Sequence, residues 1–187
     1  MKGRVITMNI VVVLGSPREK SQCNSLAMEV ARGAESKGHS VTVFRVNDMN
    51  VRGCQGCGTC KKNNVDCILD DDLKPYWSKL HDAGALIISA PNYAGGVCGP
   101  MITYMNRHYC LIDANWKPRV HPGIKLVGVF SQGREDLEGY MPVYKKYLAD
   151  FENRDMKLID IIVNSARSPE GEYDKLMKRA FEIGQSL

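Results

Sequence analysis

The sequence predicts a three-layer α/β fold in which helices cover both faces of one parallel β-sheet. Five short apolar runs rich in Val and Ile recur along the 187 residues, and segments with helical periodicity separate them. The runs are almost continuously hydrophobic, which is typical of strands buried on both faces. Strands that alternate with helices through right-handed crossovers indicate one open, doubly wound sheet.

The five predicted strands follow one another along the chain at residues 9–14, 41–46, 85–90, 124–131 and 157–163. The first helix carries the apolar stripe Leu26, Val30 and Ala34, and Gly38 marks its end. Asp71 and Asp72 mark the start of the second helix. For five such strands we expect the order 2-1-3-4-5, in which a ligand lies beyond the C-terminal ends of the first and third strands.

Length and composition predict one soluble domain over residues 1–187. With 44% hydrophobic and 25% charged residues the chain is typical of globular proteins, and its length suits one core. Residues 51–70 have neither strand nor helix periodicity and are interpreted as an insert after the second strand; long loops of this kind are usually functional.

Charge and hydropathy narrow the function classes. The net charge of +4 is small and scattered, which argues against a nucleic-acid surface. No apolar run has the length of a membrane helix, and the N-terminal region has no secretory cleavage site. We therefore expect a cytoplasmic protein without a membrane partner, whose seven cysteines meet a reducing environment.

The loop after the first strand has the features of a phosphate site. Its sequence, GSPREKSQCNSL, offers Ser16, Asn24 and Ser25 as hydrogen-bonding side chains and Arg18 as a charge, at the start of a helix. It lacks both the G-x-G-x-x-G fingerprint and the P-loop G-K-[ST], which argues against dinucleotide and P-loop NTPase sites. A Ser- or Asn-capped helix after a turn is the alternative reading.

Two further polar turns follow the third and fourth strands. The first is APNYAGGVCGP and the second is SQGRED, and both contain glycine, which lets backbone amides approach a flat ligand. Because three such turns meet at one edge of a parallel sheet, they predict a cofactor pocket there.

Cys54, Cys57, Cys60 and Cys67 lie in the insert with the spacing C-x2-C-x2-C-x6-C. The first three match the opening of the bacterial ferredoxin motif, and Cys67 could supply a fourth thiolate to a [4Fe-4S] cluster. Zinc is the competing metal, although structural zinc sites pair two C-x2-C knuckles across a longer separation. Empty or oxidised cysteines are the third possibility. Cys98 and Cys110, outside the insert, are expected to be ordinary buried thiols.

The Gly-Ser-Pro-Arg loop with Asn24-Ser25, the motif GCQGCGTCKK with its acidic run, and Pro91-x-Tyr93 together resemble the NAD(P)H-dependent FMN reductases of the flavodoxin superfamily, and above all their iron-sulfur flavoproteins. The resemblance implies a flavodoxin-like fold. It implies that Ser16, Arg18, Asn24 and Ser25 hold the FMN phosphate. It also implies the residues that border the flavin ring: Pro91, Asn92, Tyr93, Ala94, Gly95, Gly96, Ser131, Gln132 and Gly133.

These observations and the resemblance predict an FMN-dependent oxidoreductase that relays electrons between FMN and a [4Fe-4S] cluster. NAD(P)H or a ferredoxin-like protein would be the redox partner, and no side chain needs to act as acid or base. The insert follows the strand beside the first one, so we expect the cysteines next to the flavin. The resemblance further implies a homodimer or homotetramer. The alternatives are a cluster-free FMN or quinone reductase and a non-enzymatic module in which the insert binds zinc.

Overall fold

A parallel sheet with helices on both faces forms the body of the protein, which confirms the predicted α/β class. The structure, a computed structural model, describes residues 7–187. The strands are β1 (Asn9–Leu14), β2 (Ser40–Arg45), β3 (Ala83–Tyr93), β4 (Gly96–Val97), β5 (Lys125–Gln132) and β6 (Lys157–Ser165). The helices are α1 (Gln22–Glu35), α2 (Thr59–Asn63), α3 (Lys74–His81), α4 (Gly99–Arg107), α5 (Met141–Glu152) and α6 (Glu172–Ser186).

The sheet has six strands, where the sequence predicted five. Five of them are parallel in the order β2-β1-β3-β5-β6, and the short β4 pairs antiparallel with β3. The hairpin between β3 and β4 turns at Ala94 and Gly95, whose φ angles of 52° and 82° are those of a type I′ turn. The predicted order 2-1-3-4-5 therefore lacks one strand, because a two-residue strand after a tight turn leaves no apolar run in the sequence.

The two faces of the sheet bury different side chains because successive residues of a strand point to opposite sides. On one face, Ile10, Val12 and Leu14 pack with α1 and α6. On the other face, Val11 and Val13 pack with α3, α4 and α5. The predicted stripe of the first helix is buried in the core, as expected.

The second predicted helix start needs a correction. Helix α3 begins at Lys74 and has no acidic residue in its first turn. Asp71 and Asp72 lie in the turn before it, and their carboxylates bind other parts of the chain, as described below.

Within residues 7–187, no helix has the combination of length and apolar character that crossing a lipid bilayer requires.

Candidate functional site

A cleft of ≈ 610 Å³ opens at the C-terminal edge of the sheet, a volume typical of small-molecule sites. We call it the strand-end cleft, since its walls follow the ends of β1, β3, β5 and β6. The residues that line it are Ser16, Arg18, Lys20, Ser21, Gln22, Pro91, Asn92, Tyr93, Ser131, Gln132, Gly133 and Ala166.

The loop after β1 is braced from beneath by Asn24. The side chain of Asn24 accepts from the backbone N–H of Ser16 (3.4 Å) and donates to the Ser16 carbonyl (3.3 Å). The hydroxyl of Ser89 on β3 donates to the same amide oxygen at 2.8 Å. Asn24 is buried and is not part of the cleft lining. It therefore fixes the shape of the loop that carries Ser16.

Gly15 lets this loop approach the neighbouring strand. Its N–H donates to the carbonyl of Ser89 at 2.9 Å, and the carbonyl of Gly15 accepts from Cys98 Sγ at 3.2 Å. A Cβ atom at this position would lie 2.1 Å from Met101 Cγ and 2.7 Å from the Ser89 carbonyl oxygen. Only glycine fits here without movement of the surrounding chain.

The N-terminus of α1 and two cations form one end of the cleft. Ser21 is the N-cap residue, and its hydroxyl accepts from the backbone N–H of Asn24. Arg18 and Lys20 are exposed at the rim. A helix N-terminus with free amides and nearby positive charge attracts phosphate. Sequence reasoning missed Lys20, Ser21 and Gln22, although they lie in the loop that it had singled out.

The opposite walls of the cleft come from β3 and from the turn after β5. Asn92 Oδ1 accepts from the N–H of Gly95 at 3.2 Å, which fixes the hairpin. Gln132 Nε2 donates to the carbonyls of Arg134 (3.0 Å) and Asp136 (2.8 Å), and its Oε1 accepts from the Tyr144 hydroxyl at 2.9 Å. Burial raises the pKa of Tyr144 to about 12, so its hydroxyl stays a donor.

The structure divides the residues predicted to bind the cofactor into two groups. Ser16, Arg18, Pro91, Asn92, Tyr93, Ser131, Gln132 and Gly133 line the cleft, while Asn24, Ser25, Ala94, Gly95 and Gly96 do not. Ser25 is exposed on α1, and the three residues of the hairpin form its turn and the start of β4. Direct contact of either group with a cofactor stays a prediction.

The four cysteines of the insert line a second, much smaller cavity of ≈ 20 Å³, here called the cysteine cavity. Cys54 and Cys57 are exposed, Cys60 is buried and Cys67 is partly buried. Gly58 has a φ of 70° and precedes α2, which turns Cys60 inward. All four predicted ligands line this cavity, but no three of them are grouped so that they could hold a single metal ion, and their binding of a cluster stays a prediction.

Cys110 also lines the cysteine cavity, which the sequence did not indicate. Burial raises its pKa to about 12, partly offset by a hydrogen bond from the backbone of Cys67. Burial likewise raises the pKa of Cys60, whereas hydrogen bonds from the backbone and hydroxyl of Thr59 lower the pKa of Cys57. Cys98, in contrast, is a buried thiol at the N-cap of α4, as expected.

A buried ion pair closes the base of the insert. Arg107, the last residue of α4, binds the carboxylate of Asp71, and their side chains are 0% and 2% exposed. Arg107 Nη1 donates to the Arg52 carbonyl at 2.8 Å, and the N–H of Arg52 donates to Asp71 Oδ2 at 3.1 Å. These three residues, which we call the clasp, join both ends of the insert to α4.

Two more cations hold the body of the insert. Lys61 Nζ donates to the carbonyls of Tyr109 (2.7 Å) and Ile112. Arg119 donates to the carbonyls of Asn64 (3.0 Å), Val65 (2.8 Å) and Cys110 (2.6 Å). The conformation of the insert therefore depends on side chains from distant parts of the chain.

The expected position of the cysteines next to the flavin stays a prediction, and α4 relates the two regions. The first turn of α4 packs against Gly15 beside the strand-end cleft, and its last residue, Arg107, lines the cysteine cavity. Nine residues of helix, about 14 Å, separate the two ends. After β2 the chain passes beside α4, since Met49 and Val51 line one groove together with Pro100 and Thr103 of that helix.

A single metal ion has no ready site in residues 7–187, since no three His, Cys, Asp or Glu side chains are grouped so that they could hold one. A cubane cluster is larger and needs its four thiolates around a wider space. The donor set of the cysteine cavity suits such a cluster, but the present volume is about that of one water molecule. Exposed Cys54 and Cys57 would have to move outward to admit it.

Comparison with known proteins gives a family. Residues 8–148 match the profile of the NADPH-dependent FMN reductases. An iron-sulfur flavoprotein of Methanosarcina thermophila is 25% identical over 130 residues, 68% of either chain. One from Archaeoglobus fulgidus is 27% identical over 188 residues, 96% of this chain and 79% of the other. Two others from the same archaeon are matched over about half of their length, 54%.

Solved structures agree on the fold. The NAD(P)H:quinone oxidoreductase of Methanothermobacter marburgensis superimposes with a TM-score of 0.73 at 17% identity, over 97% of this chain and 96% of that one. At this identity the likeness concerns the flavodoxin-like fold alone. The family profile covers most of the chain, so this protein is an oxidoreductase that belongs to the NADPH-dependent FMN reductase family.

Proposed function

We propose that this protein binds FMN in the strand-end cleft and uses it to transfer electrons taken from NAD(P)H or from a ferredoxin-like donor. The observation that carries the proposal is the division of the cleft into a cationic end and a flat-walled end. Arg18, Lys20 and the N-terminus of α1 suit a phosphate, while the β3 edge and the turn after β5 suit a planar ring.

A buried polar group supports the fit of such a ligand. Asn92 Nδ2 is buried at the cleft wall near the Tyr144 hydroxyl and makes no hydrogen bond of normal geometry among residues 7–187. Buried donors without partners are rare, and a polar ring edge would satisfy this one. When bound, FMN supplies the hydride-accepting and electron-transferring chemistry.

The chain's own residues have binding and orienting roles in this proposal. Ser16 and Ser21 would bind the phosphate with their hydroxyls, and Asn24 keeps Ser16 in place. Pro91 and Tyr93 would bound one face or edge of the ring, and Gln132 keeps the turn of Ser131 and Gly133 in position. No group here needs to move a proton, because hydride transfer depends mainly on stacking of the two rings.

We further propose a [4Fe-4S] cluster held by Cys54, Cys57, Cys60 and Cys67, with which the flavin exchanges single electrons. Convergence of all four on one cavity supports it, as do the names of the curated relatives. The assembly of the chain as a homodimer or homotetramer remains a separate proposal, which light scattering of the purified protein tests.

One experiment separates the candidate functions. Protein purified without oxygen and supplied with FMN, iron and sulfide is examined by absorbance, by iron and sulfide analysis, and by oxidation of NADPH with a quinone acceptor. Flavin bands with about four iron and four sulfide per chain are expected. Absence of bound flavin would overturn the main proposal.

A cluster-free reductase is the second candidate, favoured by the small volume of the cysteine cavity. It predicts bound flavin and NADPH oxidation without iron or sulfide. The zinc-binding module without enzymatic activity is disfavoured by membership of a reductase family. Stoichiometric zinc together with an empty cleft would be the result that restores it.

A further inference from the structure

Arg107 is a fully buried cation at the wall of the cysteine cavity. Its place at the end of α4 would be explained by the clasp alone, in which it pairs with Asp71 and binds the Arg52 carbonyl. Two further observations go beyond the clasp and concern sulfur.

The first is a direct contact with a cysteine. Arg107 Nε donates to Cys67 Sγ at 3.2 Å. Hydrogen bonds between charged donors and anionic acceptors are the stronger ones, so a thiolate at Cys67 would be held more firmly than a thiol. Arg107 therefore orients the side chain of the cysteine that stands furthest from the other three in sequence.

The second is an unused donor. Arg107 Nη2 is buried and has no acceptor within the described part of the chain. A guanidinium has five N–H groups and needs acceptors for them when it is removed from water. The side chain lines a cavity whose other walls carry sulfur atoms, so a sulfur acceptor bound there would complete its hydrogen bonding.

We infer that Arg107 is a positioning residue for the proposed cluster and raises its reduction potential. The inference rests on the proposed function of the four cysteines. Hydrogen bonds to the sulfurs and nearby charge set the potentials of iron-sulfur clusters. Each electron added to the cluster makes it more negative, and a cation in contact with a ligand sulfur stabilises that state more than the oxidised one.

Arg119 is the matched control. It also binds the insert, through the carbonyls of Asn64, Val65 and Cys110 and the carboxylate of Asp66, and none of these hydrogen bonds within residues 7–187 is to a sulfur atom. Substitution of Arg119 therefore loosens the insert without removing a donor to a cysteine sulfur. Asp71 has to be replaced together with Arg107, since a carboxylate left buried without its partner strongly destabilises the fold.

The test compares the wild type, the double variant Arg107→Gln/Asp71→Asn, Arg107→Lys and Arg119→Gln. Each is reconstituted anaerobically, analysed for iron, sulfide and FMN, and titrated with dithionite while the cluster is followed by electron paramagnetic resonance. For the double variant we expect the one-electron reduction equilibrium to fall at least tenfold, a shift of 59 mV to more negative potential. Arg107→Lys should shift in the same direction by less, and Arg119→Gln by less than twofold.

Each outcome decides the inference. A double variant with a full cluster and the wild-type potential overturns it and leaves the cluster assignment intact. If the double variant does not fold, or binds FMN but holds no iron, the loss of the clasp alone explains the result and Arg107→Lys decides: a lowered potential supports the inference and an unchanged one overturns it. Wild-type protein without iron and sulfide overturns both this inference and the proposed cluster.

Discussion

The strand-end cleft and the cysteine cavity lie at opposite ends of α4, and they are held in different ways. The walls of the cleft continue directly from strands of the sheet, and its loop after β1 is fixed by hydrogen bonds between neighbouring segments. The cysteine cavity lies in an insert that is joined to the body by the side chains of Arg107, Lys61 and Arg119.

Because the two regions are held by different contacts, we expect FMN binding in the cleft and cluster binding in the cysteine cavity to be independent of each other. The walls of the cleft are continuous with strands of the sheet, so we expect the cleft to have the same shape without a ligand as with one. The cavity is closed to about the volume of one water molecule, and two of its thiols are exposed, so its final shape should depend on what it binds.

Loss of one cluster ligand should give the largest effect, a loss of bound iron, and should show whether FMN binding is independent of the cluster. In Cys60→Ala the proposed cluster loses a buried ligand, and we expect most of the bound iron to disappear while FMN stays stoichiometric. Iron, sulfide and flavin analysis of protein prepared without oxygen measures both. Cys98→Ala is the control, because this buried thiol precedes α4 and is not among the residues that line the cysteine cavity, so the variant should keep its iron.

Two results would contradict these expectations. If Cys60→Ala loses FMN as well as iron, the two regions are coupled. If Cys98→Ala loses as much iron as Cys60→Ala, the assignment of the ligands is wrong.

The clasp should contribute most of the stability that the insert depends on. Asp71→Ala leaves Arg107 buried without its partner, and we expect the free energy of unfolding in urea to fall by about 3–5 kcal/mol. The control is the neighbouring Asp70→Ala. Asp70 is 88% exposed and pairs with Lys74 at the surface, so its loss should change stability by less than about 1 kcal/mol. Equal effects of the two variants would contradict the role of the clasp.

The clasp also predicts a dependence on pH. Burial opposes the ionisation of Asp71, but hydrogen bonds from Arg107 and from backbone N–H groups outweigh it and lower the pKa of Asp71. A lowered folded-state pKa contributes stability that is present above the ordinary value of about 3.9 and is lost as the pH falls through the folded value. The stability difference between wild type and Asp71→Asn should therefore shrink below about pH 4. A difference that grows in acid would contradict this assignment.

The sheet could be predicted from sequence because each parallel strand is a short run of buried apolar residues. The first predicted strand coincides with β1, and the third falls within β3, which continues to Tyr93. Pro91 and the glycines after it indicated a loop, whereas the structure has the end of β3 and a tight hairpin there. Local turn chemistry was thus visible in the sequence, but its extent was not.

The position of the insert could not be predicted in this way. The four cysteines lie close together in sequence and line one cavity, while their binding of a cluster stays a prediction. Where they lie depends on long-range contacts: Lys61, Arg107 and Arg119 bind the carbonyls of Tyr109, Arg52 and Asn64, which are 48 to 55 residues away in the chain. The burial of Cys110 beside the cavity follows from the same long-range contacts. The sequence of the insert alone does not indicate these long-range contacts.

A substitution in the floor of the cleft should weaken flavin binding and leave iron unchanged. In Gly15→Ala the new methyl group would meet Met101 and the Ser89 carbonyl oxygen, and we expect a loss of about 1–3 kcal/mol in stability with weaker FMN binding. Thermal unfolding and flavin fluorescence titration measure these effects. Gly99→Ala is the control, since Gly99 is outside the cleft lining and a Cβ atom there meets nothing within 4 Å, so the change should be nearly neutral. Equal effects of Gly15→Ala and Gly99→Ala would mean that close packing at Gly15 does not shape the cleft.

The smallest effect is expected at Ser21, and it tests whether the loop after β1 is a phosphate site or only a capped helix. Ser21→Ala removes the N-cap of α1 and a hydroxyl of the cleft, so we expect a loss of about 1 kcal/mol in stability and weaker FMN binding. Ser25→Ala is the control on the same helix. Sequence resemblance implied a phosphate contact for Ser25, but this residue is exposed and outside the cleft lining, so flavin titration should find the FMN affinity of Ser25→Ala unchanged.

If Ser25→Ala weakens FMN binding more than Ser21→Ala does, the phosphate lies further along α1 than the cleft geometry indicates, and the assignment from resemblance is the better one. If Ser21→Ala lowers stability without affecting FMN binding, the hydroxyl is only a helix cap, and the phosphate must depend on Ser16, Arg18 and Lys20.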